Sequence, residues 1–279
     1  MTFRASRQTT RSASGEMHPL GGVVALGRGT RHLLRQVYAT TRLAMAVIGL
    51  SLEPSTWRRT VRGEFLRHAN GVAVGGLPAV AGTAALIGLA IASQAFVWIG
   101  IVGDAGVVAN VLVLTLVTEI APLFTALIVV GRSATVMSVI LGRMTATGQV
   151  SSLEALGIDP LRFLVVPRVL AAAVGCFSLT ILFVCVSLGM GYVAAVTGGI
   201  EDISPSQFLL EVVDAMGPRE FVLLPAKSLL AGFASGLIAC SIGLSPRIAA
   251  GDVQRILPRC FALGSLSVMA ISAILTLIL

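Results

Sequence analysis

Five long apolar runs constrain the fold of this chain more than any other feature of its sequence. A helix needs about 20 apolar residues to cross the hydrocarbon core of a bilayer. Backbone groups in hydrocarbon must be satisfied internally, and continuous runs favour helices over the alternating segments of a barrel. The sequence therefore predicts an all-α integral membrane protein. Its five expected spans lie at about 72–100, 106–130, 168–196, 221–244 and 259–279.

The composition excludes a soluble fold of this size. Of the 279 residues, 56% are hydrophobic and only 12% are charged, whereas a soluble domain carries about 25% charged residues. The net charge of +7 raises the alternative of nucleic-acid binding. That alternative is disfavoured because the basic residues gather at the ends of the apolar segments. The three histidines all precede residue 70 and the four cysteines form no C-x-x-C pair, so no metal site is expected.

The distribution of arginine and lysine predicts the orientation in the membrane. Residues 1–70 carry eleven of them, residues 131–168 carry four and residues 245–260 carry three, whereas residues 197–220 carry one. Basic connections stay on the cytoplasmic side. We therefore expect a cytoplasmic N-terminus and, after five crossings, an external C-terminus.

Two segments are expected before the first span. Residues 1–28 are rich in Arg, Ser, Thr and Gly and are expected to form a disordered cytoplasmic tail. After Pro54, residues 55–69 form an amphipathic helix with Trp57, Val61 and Phe65 on one face. That pattern favours a helix lying in the headgroup plane. The alternative is an ordinary amphipathic helix packed on a partner.

Three polar residues interrupt the apolar spans. Glu119 lies about 20 Å along the second span, where an acid is costly. It could line a cavity or a subunit interface, or it could make a structural hydrogen bond to a neighbouring helix. Gln94 in the first span raises the same question. Lys227, near the outer end of the fourth span, is expected to extend towards the outer surface.

No catalytic motif is present in the sequence. The single lysine is not preceded by the glycine loop of a phosphate-binding P-loop, so the chain is not expected to hydrolyse ATP itself. A lipid-headgroup enzyme would need clustered acids or histidines at one interface, and no such cluster is visible. A helix capped by Ser204 with Pro205 at its first position is predicted in the outer connection.

The connection between the second and third spans is the most informative part of the chain. A helix is predicted around Met144–Leu156, with Gly157 ending it and Asp159-Pro160 beginning the next element. A membrane subunit would use such a helix to dock a soluble motor protein. Spacing alone does not establish this role, since many loops contain helices.

At these residues the sequence resembles the MlaE/YrbE permease family, the membrane subunits of MCE-associated ABC transporters that move lipids. The segment LEALGIDPLRFLVVPRVLA at Leu153–Ala171 resembles the coupling-helix signature of that family. The segment Thr118–Arg132 is similar to its second span. The chain departs from the family pattern at Thr118, where an arginine is frequent, and at three positions that usually carry acids in the family coupling helix. Those three positions are Ile140, Gly148 and Ser152.

The resemblance implies an architecture and a set of partners. The segment 29–70 would be interfacial and 71–279 would form a five-helix permease domain in the bacterial inner membrane. The implied partners are a second permease protomer (identical or different), a cytoplasmic ABC ATPase, a periplasmic MCE-domain protein and a lipid substrate, with no nucleic acid. The chain itself would hold no cofactor, because ATP and Mg would bind the ATPase.

The resemblance also implies two groups of functional residues. Those mapped towards the lipid cavity or dimer interface are Gln94, Glu119 and Leu123. Those mapped onto ATPase coupling are Arg143, Gln149, Leu153, Glu154, Leu156, Asp159, Pro160 and Arg168. The expected function is a permease subunit that moves phospholipid or another lipid between the membrane and an MCE-type carrier. The alternative is a non-transporting scaffold subunit of the same kind of complex.

Overall fold

A computed structural model describes residue 38 and residues 40–102, 110–111, 113–197, 204–245 and 253–278. The tail predicted at 1–28 lies outside these residues. The chain divides into two compact units, Met1–Thr41 and Arg42–Leu279, and the membrane-spanning helices all belong to the second.

The described residues form helices and no strands. In chain order the helices are α1 (Thr40–Leu52), α2 (Arg59–Val102), α3 (Val113–Ala146), α4 (Gln149–Ala155), α5 (Leu161–Thr197), α6 (Pro205–Ala215), α7 (Pro218–Gly243) and α8 (Val253–Ile278). Five of them, α2, α3, α5, α7 and α8, contain stretches that are long and apolar enough to cross a membrane. The prediction of an all-α protein with five spans, preceded by a shorter helix, is confirmed.

The boundary predicted near residue 70 is absent from the structure. A short 3₁₀ turn at Pro54–Thr56 is followed by α2, which continues without a break from Arg59 to Val102. Residues 59–70, the last part of the segment predicted to be interfacial, therefore belong to the same helix as the first span. The physical reason is that Gly71 alone does not stop a helix, and Pro78 is accommodated inside it.

The second span is longer than predicted. The sequence places its end at 130, but α3 continues through a π-turn at Val130–Ala134 as far as Ala146. Its 34 residues would measure about 51 Å, well beyond the ~30 Å of hydrocarbon. Much of the connection predicted at 131–168 is thus a continuation of the helix.

Small residues allow the spanning helices to approach closely. A Cβ atom added to Gly88 on α2 would lie 2.2 Å from the carbonyl oxygen of Ser187 on α5, and one added to Gly232 on α7 would lie 2.6 Å from that of Ala172 on α5. Such close backbone approach is typical of helices packed in membranes. Helix α5 is therefore held between α2 and α7.

Two ends of the bundle can be distinguished. Thr145 Oγ1 near the end of α3 donates to the carbonyl oxygen of Gly243 at the end of α7, at 3.1 Å. Both helices therefore end near α4, and we call this the α4 end. The opposite end, which we call the α6 end, carries α6 between α5 and α7. Helix α6 begins with the predicted cap, since Ser204 and Gln207 form a reciprocal capping box with Pro205 at the first position.

Candidate functional site

Lys227 is the centre of a polar cluster inside the bundle, towards the α6 end. Its side chain is 1% exposed. Its Nζ atom lies 2.5 Å from Glu119 Oε1, 2.7 Å from Thr276 Oγ1 and 3.0 Å from the carbonyl oxygen of Thr118. An ammonium group has three N–H donors. All three are used within the protein, so Lys227 binds helices α3 and α8 to α7.

Glu119 is the outward-facing half of this pair. Its Oε1 atom also accepts a hydrogen bond of 2.8 Å from Thr276 Oγ1, whereas its Oε2 atom accepts, among the residues that the structure describes, a longer bond of 3.4 Å from Ser272 Oγ. The side chain of Glu119 is 36% exposed. The ammonium group of the cluster is therefore buried inside the protomer. The carboxylate is partly exposed and can accept further hydrogen bonds.

The local sequence of α3 explains how Thr118 and Glu119 take part. Both residues lie in a π-turn at Leu116–Ile120, and π-turns recur at functional sites. Pro122 lies four residues after Thr118 and has no N–H group to offer the carbonyl oxygen of Thr118. Lys227 supplies a donor to that oxygen. The positions of Glu119 and Pro122 in this span therefore leave two acceptors, the Glu119 carboxylate and the Thr118 carbonyl oxygen, for the ammonium group of Lys227.

The burial of Lys227 corrects an expectation from the sequence. Lys227 was expected to extend towards the outer surface, but it lies inside the bundle because three acceptors at its own depth satisfy its ammonium group. One signal could have revealed the pair. Lys227 is the only lysine in the chain, and Glu119 is the only acid within a predicted span.

A small cavity adjoins the ion pair. It is lined by Pro122, Leu123, Lys227, Ala231, Val268 and Ser272. Leu123 therefore lies next to the ion pair. Gln94 does not join them: it is exposed on α2 and is neither a lining residue nor a described partner of Glu119. The structure brings together two of the three residues mapped to the cavity or dimer interface.

Helix α4 presents an exposed surface at its own end of the bundle. Gly148 and Gly157, with φ of 74° and 75°, bracket this helix with left-handed turns that favour glycine. Leu153 is half-buried and packs against the core. The side chains of Gln149, Glu154 and Leu156 are exposed, Leu156 by 74%. One face of α4 therefore packs on the core of the bundle, and the opposite face is exposed.

The residues flanking α4 extend this surface. Ile158 is exposed, and Asp159 caps the start of α5 by accepting a 3.0 Å hydrogen bond from the backbone N–H of Leu161. Pro160 is half-buried, and Arg143 is exposed in the last turns of α3. We define the α4 surface by its exposed side chains, Arg143, Gln149, Glu154, Leu156, Ile158 and Asp159.

Arg168 lies apart from the α4 surface. Its side chain is buried in α5, and its Nε atom donates to His68 Nε2 on α2 at 3.1 Å. It was grouped with the coupling residues on the resemblance, but the structure places it between two spans.

The chain matches the model of a known family, Permease MlaE, over residues 65–278. A probable ABC transporter permease protein of Synechocystis sp. is 29% identical over 221 residues, covering 78% of this chain and 82% of that relative. Two further similarities cover less. Protein TRIGALACTOSYLDIACYLGLYCEROL 1, chloroplastic, of Arabidopsis thaliana is 30% identical over 50% of this chain and 39% of its own length.

The second partial similarity is to the intermembrane phospholipid transport system permease protein MlaE of Haemophilus influenzae. It is 37% identical over 83 residues, which are 30% of this chain and 32% of that protein. The family match includes most of α2 and the whole of every later helix from α3 to α8, and so both the buried ion pair and the α4 surface. The chain is a multi-pass membrane protein that belongs to the MlaE permease family.

Proposed function

We propose that this chain is the permease subunit of an ABC transporter that moves lipid between the bacterial inner membrane and an MCE-type carrier protein, driven by a separate ATPase. The observation that carries the proposal is the α4 surface. Leu156 and Ile158 are exposed apolar side chains in the turn that follows α4, a short helix between two spans that packs on the core through Leu153. Exposed apolar groups at such a place favour a protein partner.

The partner of the α4 surface would be a cytoplasmic ABC ATPase. The chain carries no P-loop, so ATP and Mg would bind that partner. The positive charges in the connections at the α4 end support a cytoplasmic position for that end. In this orientation the ATPase would push α4, while an MCE-domain protein would meet the α6 end in the periplasm.

The pair of Glu119 and Lys227 supports a lipid-handling role for the opposite end. Lys227 is sealed and fully bonded, so it offers no donor to a phosphate group. The side chain of Glu119 is 36% exposed, and its Oε2 atom, which accepts from Ser272 at 3.4 Å, would accept a further hydrogen bond from an ammonium or hydroxyl group of a lipid. A second protomer, identical or different, would enclose this surface and complete a lipid-sized cavity.

The α4 surface can be tested by substitution. We expect Glu154→Ala combined with Leu156→Arg to abolish co-purification of the partner ABC ATPase, because a charge would replace the apolar contact. Leu210→Arg is the matched control, since Leu210 is an exposed leucine on α6 at the other end of the bundle. Retention of the ATPase by the double variant, with full ATP-driven lipid movement, would refute the docking assignment.

A further inference from the structure

Arg168 carries a buried charge and is not part of the exposed α4 surface. Its side chain is 7% exposed, although it lies only three residues after the π-turn Leu161–Val165 that begins α5. Removing an arginine from water is costly unless it is bonded. Its Nη1 atom is buried and has no hydrogen-bond partner among the residues that the structure describes. Docking of a partner on the α4 surface therefore does not explain why an arginine is buried at this position.

The single described hydrogen bond of Arg168 joins two spans. Its Nε atom donates to His68 Nε2 on α2 at 3.1 Å. Glu64 lies one turn before His68, with a carboxylate oxygen 3.5 Å from the same ring nitrogen, and Arg67 holds that carboxylate at 2.8 Å. Because Nε2 accepts the bond from Arg168 it has no proton to donate to Glu64, so the imidazole is bonded to the guanidinium on α5 and not to the carboxylate on its own helix.

The same short segment carries a second link to a neighbouring element. Arg162 lies in the π-turn that follows α4, and its Nη2 atom is 3.0 Å from Glu53 Oε2, in the connection between α1 and α2. Asp159, in the connection between α4 and α5, lies 3.7 Å from the Arg162 Nε atom. The exposed pair contributes little stability. Residues 159–168 are nevertheless tied on both sides, at Glu53 by Arg162 and at His68 by Arg168.

Helices α2 and α5 pack closely beyond this point, with side-chain methyl groups of one helix against glycines of the other. A Cβ atom added to Gly175 would lie 2.7 Å from a methyl group of Val72, and one added to Gly76 would lie 2.7 Å from a methyl group of Leu179. The bond from Arg168 to His68 is therefore the polar contact at the α4 end of a close helix pair. A movement of α4 that is passed to α5 would also move α2 only if α2 and α5 remain bonded to each other at the α4 end.

We propose that Arg168 and His68 are positioning residues that transmit movement of α4 to α2 as well as α5. This inference rests on the proposed function, in which an ATPase moves α4. Arg168 then acts from inside the bundle and does not touch the ATPase. A merely structural pair would act only through the stability that its hydrogen bond contributes. The positioning role instead depends on the hydrogen bond itself, because that bond joins α5 to α2.

The test compares His68→Leu with the double variant His68→Leu/Arg168→Leu, each purified with the ATPase and reconstituted in liposomes containing fluorescent phosphatidylethanolamine. The single variant leaves a buried charge unpaired and lowers thermal stability, whereas the double variant replaces both polar groups and recovers it. We expect both variants to keep ATPase binding and ATP hydrolysis, and to move about tenfold less lipid per ATP. Arg62→Gln, at an exposed arginine of α2 outside this cluster, is the matched control and retains wild-type coupling.

His68→Gln supplies a conservative rescue, since its side-chain oxygen can accept the bond from Arg168, and it is expected to restore coupling. Recovery of lipid movement by the double variant together with its stability would show a merely structural pair and overturn the proposal.

A wild-type complex that moves no lipid would instead contradict the proposed function. The positioning role is then decided by hydrogen–deuterium exchange of residues 159–165 in the purified chain. Exchange must rise in both leucine variants and stay at the wild-type level in His68→Gln; unchanged exchange in the double variant overturns it.

Discussion

Lys227 on α7 and Glu119 on α3 are 108 residues apart in the sequence, and their Nζ and Oε1 atoms lie 2.5 Å apart inside the bundle. The lysine is enclosed, whereas the acid is partly exposed. Thr276 bonds to both, so three spanning helices meet at one polar point. This point fixes the relative position of the helices at the α6 end and leaves one carboxylate oxygen for an external donor.

Removal of one partner of the pair is expected to destabilise the protein more than removal of both. Glu119→Gln alone leaves the Lys227 charge buried without a counter-charge, which would lower the free energy of unfolding by about 3 kcal/mol. The combined change Glu119→Gln/Lys227→Met removes that unpaired charge and would recover most of the loss. Thermal unfolding of the purified protein in detergent measures both. Additive losses in the double variant would show that the two residues do not interact.

Close packing of α2 on α5 predicts contrasting effects at two glycines. Gly88→Ala would place a methyl group 2.2 Å from the carbonyl oxygen of Ser187, and this overlap is expected to destabilise the protein by about 3 kcal/mol. Gly82→Ala meets nothing within 4 Å and serves as the matched control on the same helix. It is expected to be neutral or to stabilise α2 by up to about 1 kcal/mol. Equal melting temperatures for the two variants would contradict the packing of α2 against α5.

The capping box of α6 predicts a local effect. Ser204→Ala removes the side-chain oxygen that accepts from the backbone N–H of Gln207, and the loss of such a cap costs about 1 kcal/mol. We expect faster hydrogen exchange over residues 205–215 with little change in global unfolding. Ser151→Ala on α4 is the control and should leave exchange in α6 unaltered. Protection of α6 that survives the loss of Ser204 would show that packing, not the cap, holds this helix.

The sequence was sufficient for the helical class, the number of spans and some helix ends. Long uncharged runs fix the spans because a bilayer leaves little choice of structure. Helix ends were predictable where a residue type dictates the backbone, as at Gly157, with its positive φ, and at the cap of Ser204. They were not predictable at residues 70 and 130, because apolar and amphipathic helical segments join without any residue that stops a helix.

The candidate site was only half predictable. Glu119 stood out because an acid is costly within a span. Its partner did not, because the pairing of α3 with α7 is a tertiary contact that no local pattern encodes. For the same reason Arg168 was grouped with the surface residues near it in sequence, while its side chain turns inward to His68 on a helix 100 residues away. Local sequence specifies elements, and contacts between distant helices decide which polar residues meet.

The most direct test of the central claim is lipid transfer by the purified complex. The chain, reconstituted with its ATPase in liposomes containing fluorescent phosphatidylethanolamine, would be mixed with a soluble MCE-domain protein, and fluorescence transfer between membrane and carrier would be followed. We predict transfer that requires ATP and falls when Leu156→Arg is introduced. ATP hydrolysis by an intact complex with no lipid moving in either direction would contradict the account and favour a scaffold.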